Sequence, residues 1–451
     1  KKLKKKEKKI DDSTSKKVIN NFDFILTSDQ KRCVDEINND LKSDYRMFRI
    51  LQGDVGSGKT IVSLIAAANV INSKFQAVLM APTEILAKQH YNLAEKIFSS
   101  TGINISFLSG KTKENFKKKI QTDLIKGKIN LLIGTHAVFQ KKIQFKNLGL
   151  AIIDEQHKFG VKQRIELSRK GGKNCDILLM SATPIPRTLI MTLYGDMDVS
   201  RIYEKPKNRK KIITLSKPEE KIDEVIFFIS KQINLGNQIF WVCPLIEESK
   251  KLDYSAAVEK FNFLCKKFSN KVGLLHGSLN KDEKDKVLRD FLDKKINILV
   301  STTVIEVGID FPNANVIVIE NSNKFGLSQL HQLRGRVGRG INQGSCILLY
   351  KNNLSENAKK RIKILKSSTD GFVIAEEDMK LRGYGDILGF QQSGIKNFKI
   401  ADPIHHQDLF NIAEKDIKVI ERDKNNFKKY NILLNLFDRV DLLNKVDLAE
   451  N

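Results

Sequence analysis

Short apolar runs alternate with longer stretches of helical periodicity over most of this chain, and that rhythm organises everything else. Met47–Leu51, Ala77–Ala81, Ile105–Leu108, Asn130–Gly134, Leu150–Asp154 and Ile177–Ser181 read as strands, and Ile61–Ile71 has the apolar content of a buried helix. Runs without polar alternation belong to strands covered on both faces, so the pattern predicts a parallel sheet flanked by helices. A basic, proline-containing connector, Glu204–Lys211, interrupts it. The rhythm resumes at Ile212–Leu215, Gln238–Cys243, Val272–His276, Ile298–Ser301, Val316–Glu320 and Cys346–Tyr350. The expected fold class is α/β, with two tandem parallel-sheet lobes followed by a small, mostly helical region. Its expected divisions are a basic, flexible segment at 1–21, lobes at 22–205 and 206–355, and a helical region at 356–451.

The first strand runs into Gly53-Asp54-Val55-Gly56-Ser57-Gly58-Lys59-Thr60. Strand, Gly-x-x-x-x-Gly-Lys-Thr and helix in that order make a phosphate-binding loop, whose glycines let backbone N–H groups turn onto phosphate oxygens. Lys59 adds charge for the β- and γ-phosphates, and the Thr60 hydroxyl suits Mg²⁺. The complete pattern and its flanks disfavour a glycine turn without a ligand. Upstream, Thr27, Ser28 or Asp29 can cap the helix through Val34 and Ile37. Gln30 there offers an amide donor and acceptor for an adenine edge, where a surface glutamine would simply be solvated.

Ligands of open parallel sheets bind at the carboxyl ends of the strands. Polar clusters stand at those ends: Pro82-Thr83-Glu84, Gly134-Thr135-His136, Asp154-Glu155-Gln156-His157 and Ser181-Ala182-Thr183. Asp154 is placed to hold Mg²⁺, and Glu155 to orient or deprotonate a water, against the plain reading of a solvated strand end. The second lobe has no phosphate loop of its own. Its Gln329–Gly340 segment brings Arg334, Arg336 and Arg339 together, either to reach a γ-phosphate or as a basic helix cap or nucleic-acid patch. Glycines recur through Leu381–Gly394, which predicts a loop between helices, moving or facing DNA.

Composition adds limits. A chain of 451 residues can bury two or three cores, and its net charge of +25 favours a polyanionic partner, discounted for an overall bias towards Lys, Ile and Asn. Five cysteines without C-x-x-C spacing read as reduced thiols, and seven histidines without ligand spacing predict no structural metal. No apolar run approaches the ~20 residues of a membrane span. Lys1–Lys17 reads as a solvated, mobile segment, and the start at Lys1 suggests a fragment.

Taken in order, the motifs resemble those of superfamily 2 helicases, in which two RecA-like lobes close over ATP. Gln30 is similar to the Q motif, Gly53–Thr60 to motif I, Ala81–His90 to motif Ia and Gly134–His136 to motif Ib. Asp154–His157 is similar to motif II, Ser181–Thr183 to motif III, Trp241–Glu247 to motif IV, Ser301–Asp310 to motif V and Gln332–Arg339 to motif VI. Asp154–Gly160, Ala182–Leu189 and Phe325–Gly340 resemble the RecG branch-migration helicases most closely. The transcription-repair coupling factor is the near rival, usually with Asp-Glu-Glu at motif II and Tyr in place of His331. Arg382–Gly394 resembles the translocation loop shared by both, with Tyr384, Phe390 and Gln391 departing from its pattern. RecG proteins carry an N-terminal wedge domain, and nothing before Phe22 is expected to fold into one, so the sequence reads either as a fragment or as a wedge-less relative.

The resemblance implies ATP and Mg²⁺, and a catalytic set of Lys59, Asp154, Glu155, Gln332, Arg336 and Arg339. It implies nucleotide contacts from Gln30, the loop Gly53 to Thr60, Gly308 and Asp310, and Mg²⁺ held by Thr60 and Asp154. DNA contact or coupling would fall to Pro82, Thr83, Thr135, His136, Thr302, Arg382 and Gln392. Branched double-stranded DNA (replication forks and Holliday junctions) is the expected partner, with single-strand-binding protein a further one. The protein is then expected to be a monomeric, cytoplasmic, nucleoid-associated DNA helicase of recombination and repair. Competing readings are a coupling-factor-like motor, a DNA-binding scaffold that uses ATP as a switch, and an RNA helicase.

Overall fold

Two parallel sheets carry the molecule. The computed structural model describes residues 4–11, 13–22, 24–140, 142–155, 172–182, 197–205, 210–244, 250–277, 279–302, 311–340, 342–351, 354–382 and positions 409, 412, 413 and 416. The first sheet holds β1 (Phe48–Gly53), β2 (Gln76–Met80), β3 (Ile105–Leu108), β4 (Leu131–Gly134), β5 (Leu148–Ile153), β6 (Asp176–Ser181) and β7 (Asp198–Ile202). Their order is β3-β4-β2-β5-β6-β1-β7, and every pairing is parallel. Around them lie α1 (Ser13–Asn20), α2 (Ser28–Lys42), α3 (Lys59–Asn72), α4 (Glu84–Phe98) and α5 (Glu114–Ile125).

The second sheet holds β8 (Ile213–Pro218), β9 (Gln238–Val242), β10 (Val272–Leu275), β11 (Ile298–Ser301), β12 (Ala314–Ile319) and β13 (Ser345–Tyr350). It runs β10-β11-β9-β12-β13-β8, again all parallel. Its helices are α6 (Ile222–Asn234), α7 (Lys250–Phe268), α8 (Lys281–Leu292), α9 (Leu327–Arg334), α10 (Glu356–Ser367) and α11 (Gly371–Arg382). Ile362, Leu365 and Ile374 join the apolar core beneath this sheet, so α10 and α11 pack as part of it. The chain divides into two compact units, Lys1–Leu381 and Arg382–Asn451. Of the second, only Arg382 and the four isolated positions are described.

Burial follows the apolar runs. β2, β5 and β6 are buried along their whole lengths. α3 is buried on nearly every face, as expected of a helix that is apolar all round. Its one buried amide, Asn69, donates to the Asn38 side chain at 2.8 Å. Each fully buried Leu or Ile in these cores contributes roughly 1.5–3 kcal/mol. Among the cap candidates, Thr27 begins α2: its hydroxyl accepts from the Gln30 N–H, and the Gln30 side chain accepts from the Thr27 N–H.

Two features depart from the sequence expectations. β7 is an edge strand of half-buried, partly polar residues, so it lacks the continuous apolar run that marks the interior strands. The Lys-rich leader, expected to be solvated, is instead anchored. Lys5 and Lys8 bury their ammonium groups on Asp176, at 2.8 and 2.6 Å, and Asp176 also accepts from the Met47 N–H. Lys8 lies 4.9 Å from the centre of the Phe75 ring, and Val18 of α1 joins the first core. A buried carboxylate repays its desolvation only with several partners, and here two lysines and a backbone amide supply them.

Candidate active site at the seam of the two sheets

The phosphate-loop pattern sits at the carboxyl end of β1, between β6 and β7. Gly56 and Gly58 have φ of 78° and 87°, in the left-handed region that glycine tolerates, and no side chain caps α3. A 14-residue helix with an uncapped N-terminus presents N–H groups and a positive dipole end to the loop. A Cβ at Gly58 would stand 2.2 Å from the Gln30 amide nitrogen, so the loop closes tightly against α2. Gln30 donates to the Ser57 carbonyl at 2.8 Å while its oxygen serves the Thr27 cap. Gln30 therefore braces the loop here, with one amide N–H and one oxygen lone pair left over from those two bonds.

Lys59 is buried, and its ammonium donates to the loop carbonyls of Gly53 (2.7 Å) and Asp54 (3.0 Å). Burial pushes its pKa down, against the charges of Glu155, Asp154 and Asp54. Ser57 Oγ is buried and has no partner among the described residues. An ammonium resting on its own loop's carbonyls beside an unpartnered hydroxyl is a polar set that a phosphate fits.

Asp154, directly after β5, is a buried carboxylate. Its Oδ2 lies 2.8 Å from His90 Nε2 of α4, and its Oδ1 accepts from the Glu155 N–H at 2.9 Å. Burial alone would raise its pKa; the His90 hydrogen bond and charge, with Lys59 behind them, outweigh burial and hold it low. Glu155 adopts φ of 49°, a strained backbone for a non-glycine residue. His90 had no role in the sequence reading. Its contact joins the end of one motif stretch to the strand end of another, 64 residues away, and nothing in local spacing could signal it.

From the second lobe, α9 and the turn after it bring up the arginine-rich segment. Arg339 lies near enough to Lys59 for its charge to lower the lysine pKa further. Arg336, in the turn after α9, is buried, and Gln332 on α9 is half-buried. Arg334 is turned elsewhere: it donates to His331 Nδ1 at 2.9 Å and to the carbonyls of Leu365 and Ser368. Arg334 is thus a structural group, whereas Arg339 stands near Lys59.

His331 also crosses the seam. Its Nε2 lies 2.8 Å from Asp54 Oδ1, while Lys205, in the connector, pairs with Asp54 Oδ2 at 2.6 Å and with the Thr369 carbonyl at 2.8 Å. Tyr203 packs on Phe372 with ring centres 4.5 Å apart. Burial would raise the Asp54 carboxyl; the His331 hydrogen bond and the Lys205 charge hold it well below the usual carboxylate range. This network escaped the sequence reading because its partners are up to 277 residues apart.

Elsewhere along the seam, Pro82, Thr83, Thr135 and His136 line a cavity of about 690 Å³ with Lys284, Asp285, Leu288 and Phe311 of the second lobe. Thr302 is buried, its N–H bonded to the carbonyl of Leu275, which lines the cavity. Gly308, Asp310 and Gln392 lie outside the described residues, as do Gln156, His157, Thr183 and the side chain of Arg382.

Three families match successive parts of the chain. They are described as DEAD/DEAH box helicase (residues 27–192), helicase conserved C-terminal domain (217–340) and ATP-dependent DNA helicase RecG, domain 3, C-terminal (368–448). The chain is 47% identical to the ATP-dependent DNA helicase RecG of Thermotoga maritima over 416 residues, covering 92% of this chain and 53% of that protein. It is 47% identical to the Bacillus subtilis protein of the same name over 400 residues, covering 88% and 58%. A solved structure of RecG bound to a three-way DNA junction superposes with a TM-score of 0.77 at 44% identity, over 90% of this chain and 53% of that one. The chain thus spans little more than half the length of the curated relatives it matches.

Proposed function

Because the chain belongs to the RecG family of ATP-dependent DNA helicases, we propose that it hydrolyses ATP to translocate on double-stranded DNA and remodels forks and Holliday junctions in recombination and repair. The observation that carries this reading is the convergence at one seam of the Lys59 loop, the Asp154–Glu155 turn and the arginine-rich end of α9. A binding scaffold has no need of that combination.

In this reading ATP phosphates replace the Gly53 and Asp54 carbonyls as partners of Lys59. Thr60 and Asp154 are the residues to hold Mg²⁺, which when bound neutralises charge on the β- and γ-oxygens. His90 orients Asp154, Glu155 positions the attacking water, and Arg336 and Arg339 take up charge on the transferring phosphoryl group. Gln332, Gly308 and Asp310 complete the second lobe's share. ATP favours the closed arrangement of the lobes and hydrolysis releases it, so each cycle shifts their grip on DNA. Pro82, Thr83, Thr135, His136 and Thr302 would meet phosphates rather than bases, with Arg382 and Gln392 in the coupling loop, so affinity should fall steeply with salt. We further propose a monomer in the bacterial cytoplasm, associated with the nucleoid, with single-strand-binding protein as a partner.

The test is steady-state ATPase with a model fork, linear duplex, single strand or RNA. Stimulation by the fork above duplex supports the reading, with turnover lost and DNA binding retained in Lys59→Ala. Equal stimulation by any duplex reduces it to a bare translocase. Stimulation by RNA alone, or full turnover in Lys59→Ala, defeats it.

A further inference from the structure

The second lobe touches the phosphate loop through one side chain whose chemistry is fully constrained. His331 lies between a guanidinium and a carboxylate, at 2.9 and 2.8 Å, and is 4% exposed. Arg334 has only donors to offer, so His331 Nδ1 must accept, and the ring proton is fixed on Nε2, facing Asp54. Arg334 is fixed in turn by the Leu365 and Ser368 carbonyls at the end of α10. Asp54 is fixed from the other side: Oδ1 also accepts from the Val55 N–H at 2.7 Å, and Oδ2 holds Lys205. The line from α10 through Arg334 and His331 to the phosphate loop is therefore a directed series of hydrogen bonds.

The surroundings leave it little room to slide. A Cβ at Gly335 would stand 3.0 Å from Val55 Cβ, so the end of α9 rests directly on the loop. At Gly371, the first residue of α11, a Cβ would come within 2.8 Å of His331 Nε2 and 3.3 Å of Asp54. Lys59 donates to the carbonyl of Asp54, the same residue whose side chain His331 holds. A change at the phosphate site is thus one residue from the second lobe.

We infer that His331 is a positioning residue for ATP hydrolysis: its bond to Asp54 sets the register of α9 on the phosphate loop, and so the aim of Arg336 and Arg339. The inference rests on the ATPase reading above. Rate depends on holding such groups within about 0.5 Å of the productive geometry, whereas nucleotide affinity depends mainly on the first lobe's own loop. Loss of the bond should therefore lower turnover and spare binding. Glutamine is the conservative replacement, because its amide can donate to Asp54 and accept from Arg334 as the imidazole does.

The experiment compares wild type, His331→Ala and His331→Gln in fork-stimulated ATPase, with nucleotide affinity measured separately by a fluorescent ATP analogue. Expected is a fall in kcat of about 10- to 100-fold in His331→Ala, an affinity within about twofold of wild type, and recovery to within about threefold in His331→Gln. Unchanged kcat in His331→Ala overturns the inference, as does equal impairment by Ala and Gln, or a parallel loss of affinity. If His331→Ala does not fold, His331→Phe, which fills the space of the ring without its donor and acceptor, is held to the same split between kcat and affinity. Wild type without turnover defeats the ATPase reading and this inference with it; wild-type turnover with an unaffected His331→Ala defeats the inference alone.

Discussion

The two lobes meet at two edges of one seam, and the edges are made of different physics. At the phosphate loop, Asp54, His331, Arg334 and Lys205 form a network in which Asp54 and His331 side chains are 8% and 6% exposed. At the other edge, Lys111 reaches from the first lobe to Asp282 and Asp285 of α8, at 2.6 and 2.7 Å, with Lys111 39% and Asp282 86% exposed. Burial makes the first edge expensive to break, because any lost partner leaves a polar group stranded away from water. Exposure makes the second cheap to break and open to competition from salt or another anion. One edge suits a fixed relation between the proposed catalytic parts, the other a contact that must come and go.

The sharpest way to break the comparison is at the catalytic edge. Arg336→Ala should lower fork-stimulated kcat about 10³-fold, the scale of a missing arginine finger, with ATP affinity nearly unchanged. Arg334→Ala should lower it less and cost stability, since Arg334 serves His331 and two carbonyls rather than phosphate. Stopped-flow phosphate release and chemical denaturation of both variants separate the roles. Equal kinetics in the two would show that the arginines had been sorted wrongly.

The next effect is on stability. Asp54→Ala leaves the buried His331 without its acceptor, while Lys205, 36% exposed, can turn to water, and should cost about 2 kcal/mol in urea denaturation. The sign of its pH dependence follows from the depressed Asp54 pKa. A depressed carboxyl stabilises fully above its unfolded value, ~3.9, and loses that contribution as pH falls below it towards the folded value. The gap between wild type and variant should stay flat from about pH 5 to 9 and close only in acid. A gap that changes near neutral pH would mean that another group governs this edge.

How much of this was legible beforehand depends on the range of the interaction. The phosphate loop and Asp154 are contiguous motifs at the ends of apolar strands, so local pattern reaches them. The interior strands carry their burial on both faces in their composition, whereas β7, half-buried at an edge, does not. Gln30 was legible as a special residue, but its bond to the Ser57 carbonyl depends on how α2 packs over the loop. Lys5 and Lys8 look like any solvated lysines until Asp176, about 170 residues on, is folded beneath them. Asp54 and His331 each stand inside a recognisable motif, yet the bond between them exists only once both lobes are assembled. A sequence shows which groups can do chemistry; which of them face each other is decided by packing across the whole chain.

The smallest expected effect sharpens the contrast most directly. Lys111→Ala should change unfolding by less than about 1 kcal/mol, because Asp282 is 86% exposed and the partly covered Asp285 loses only an exposed ammonium. Its consequence is positional. With a donor–acceptor dye pair placed across this edge, energy transfer in wild type should fall as salt rises from about 50 to 500 mM, and Lys111→Ala should already show the high-salt value at low salt. A second pair across the phosphate-loop edge should not respond, since the Asp54–His331 bond is shielded from ions. If both pairs move together, the lobes separate as one body and the two edges are not independent. If only the exposed pair moves, the lobes hinge on the phosphate loop, and a DNA phosphate competing for Lys111 could open the seam without disturbing the catalytic edge.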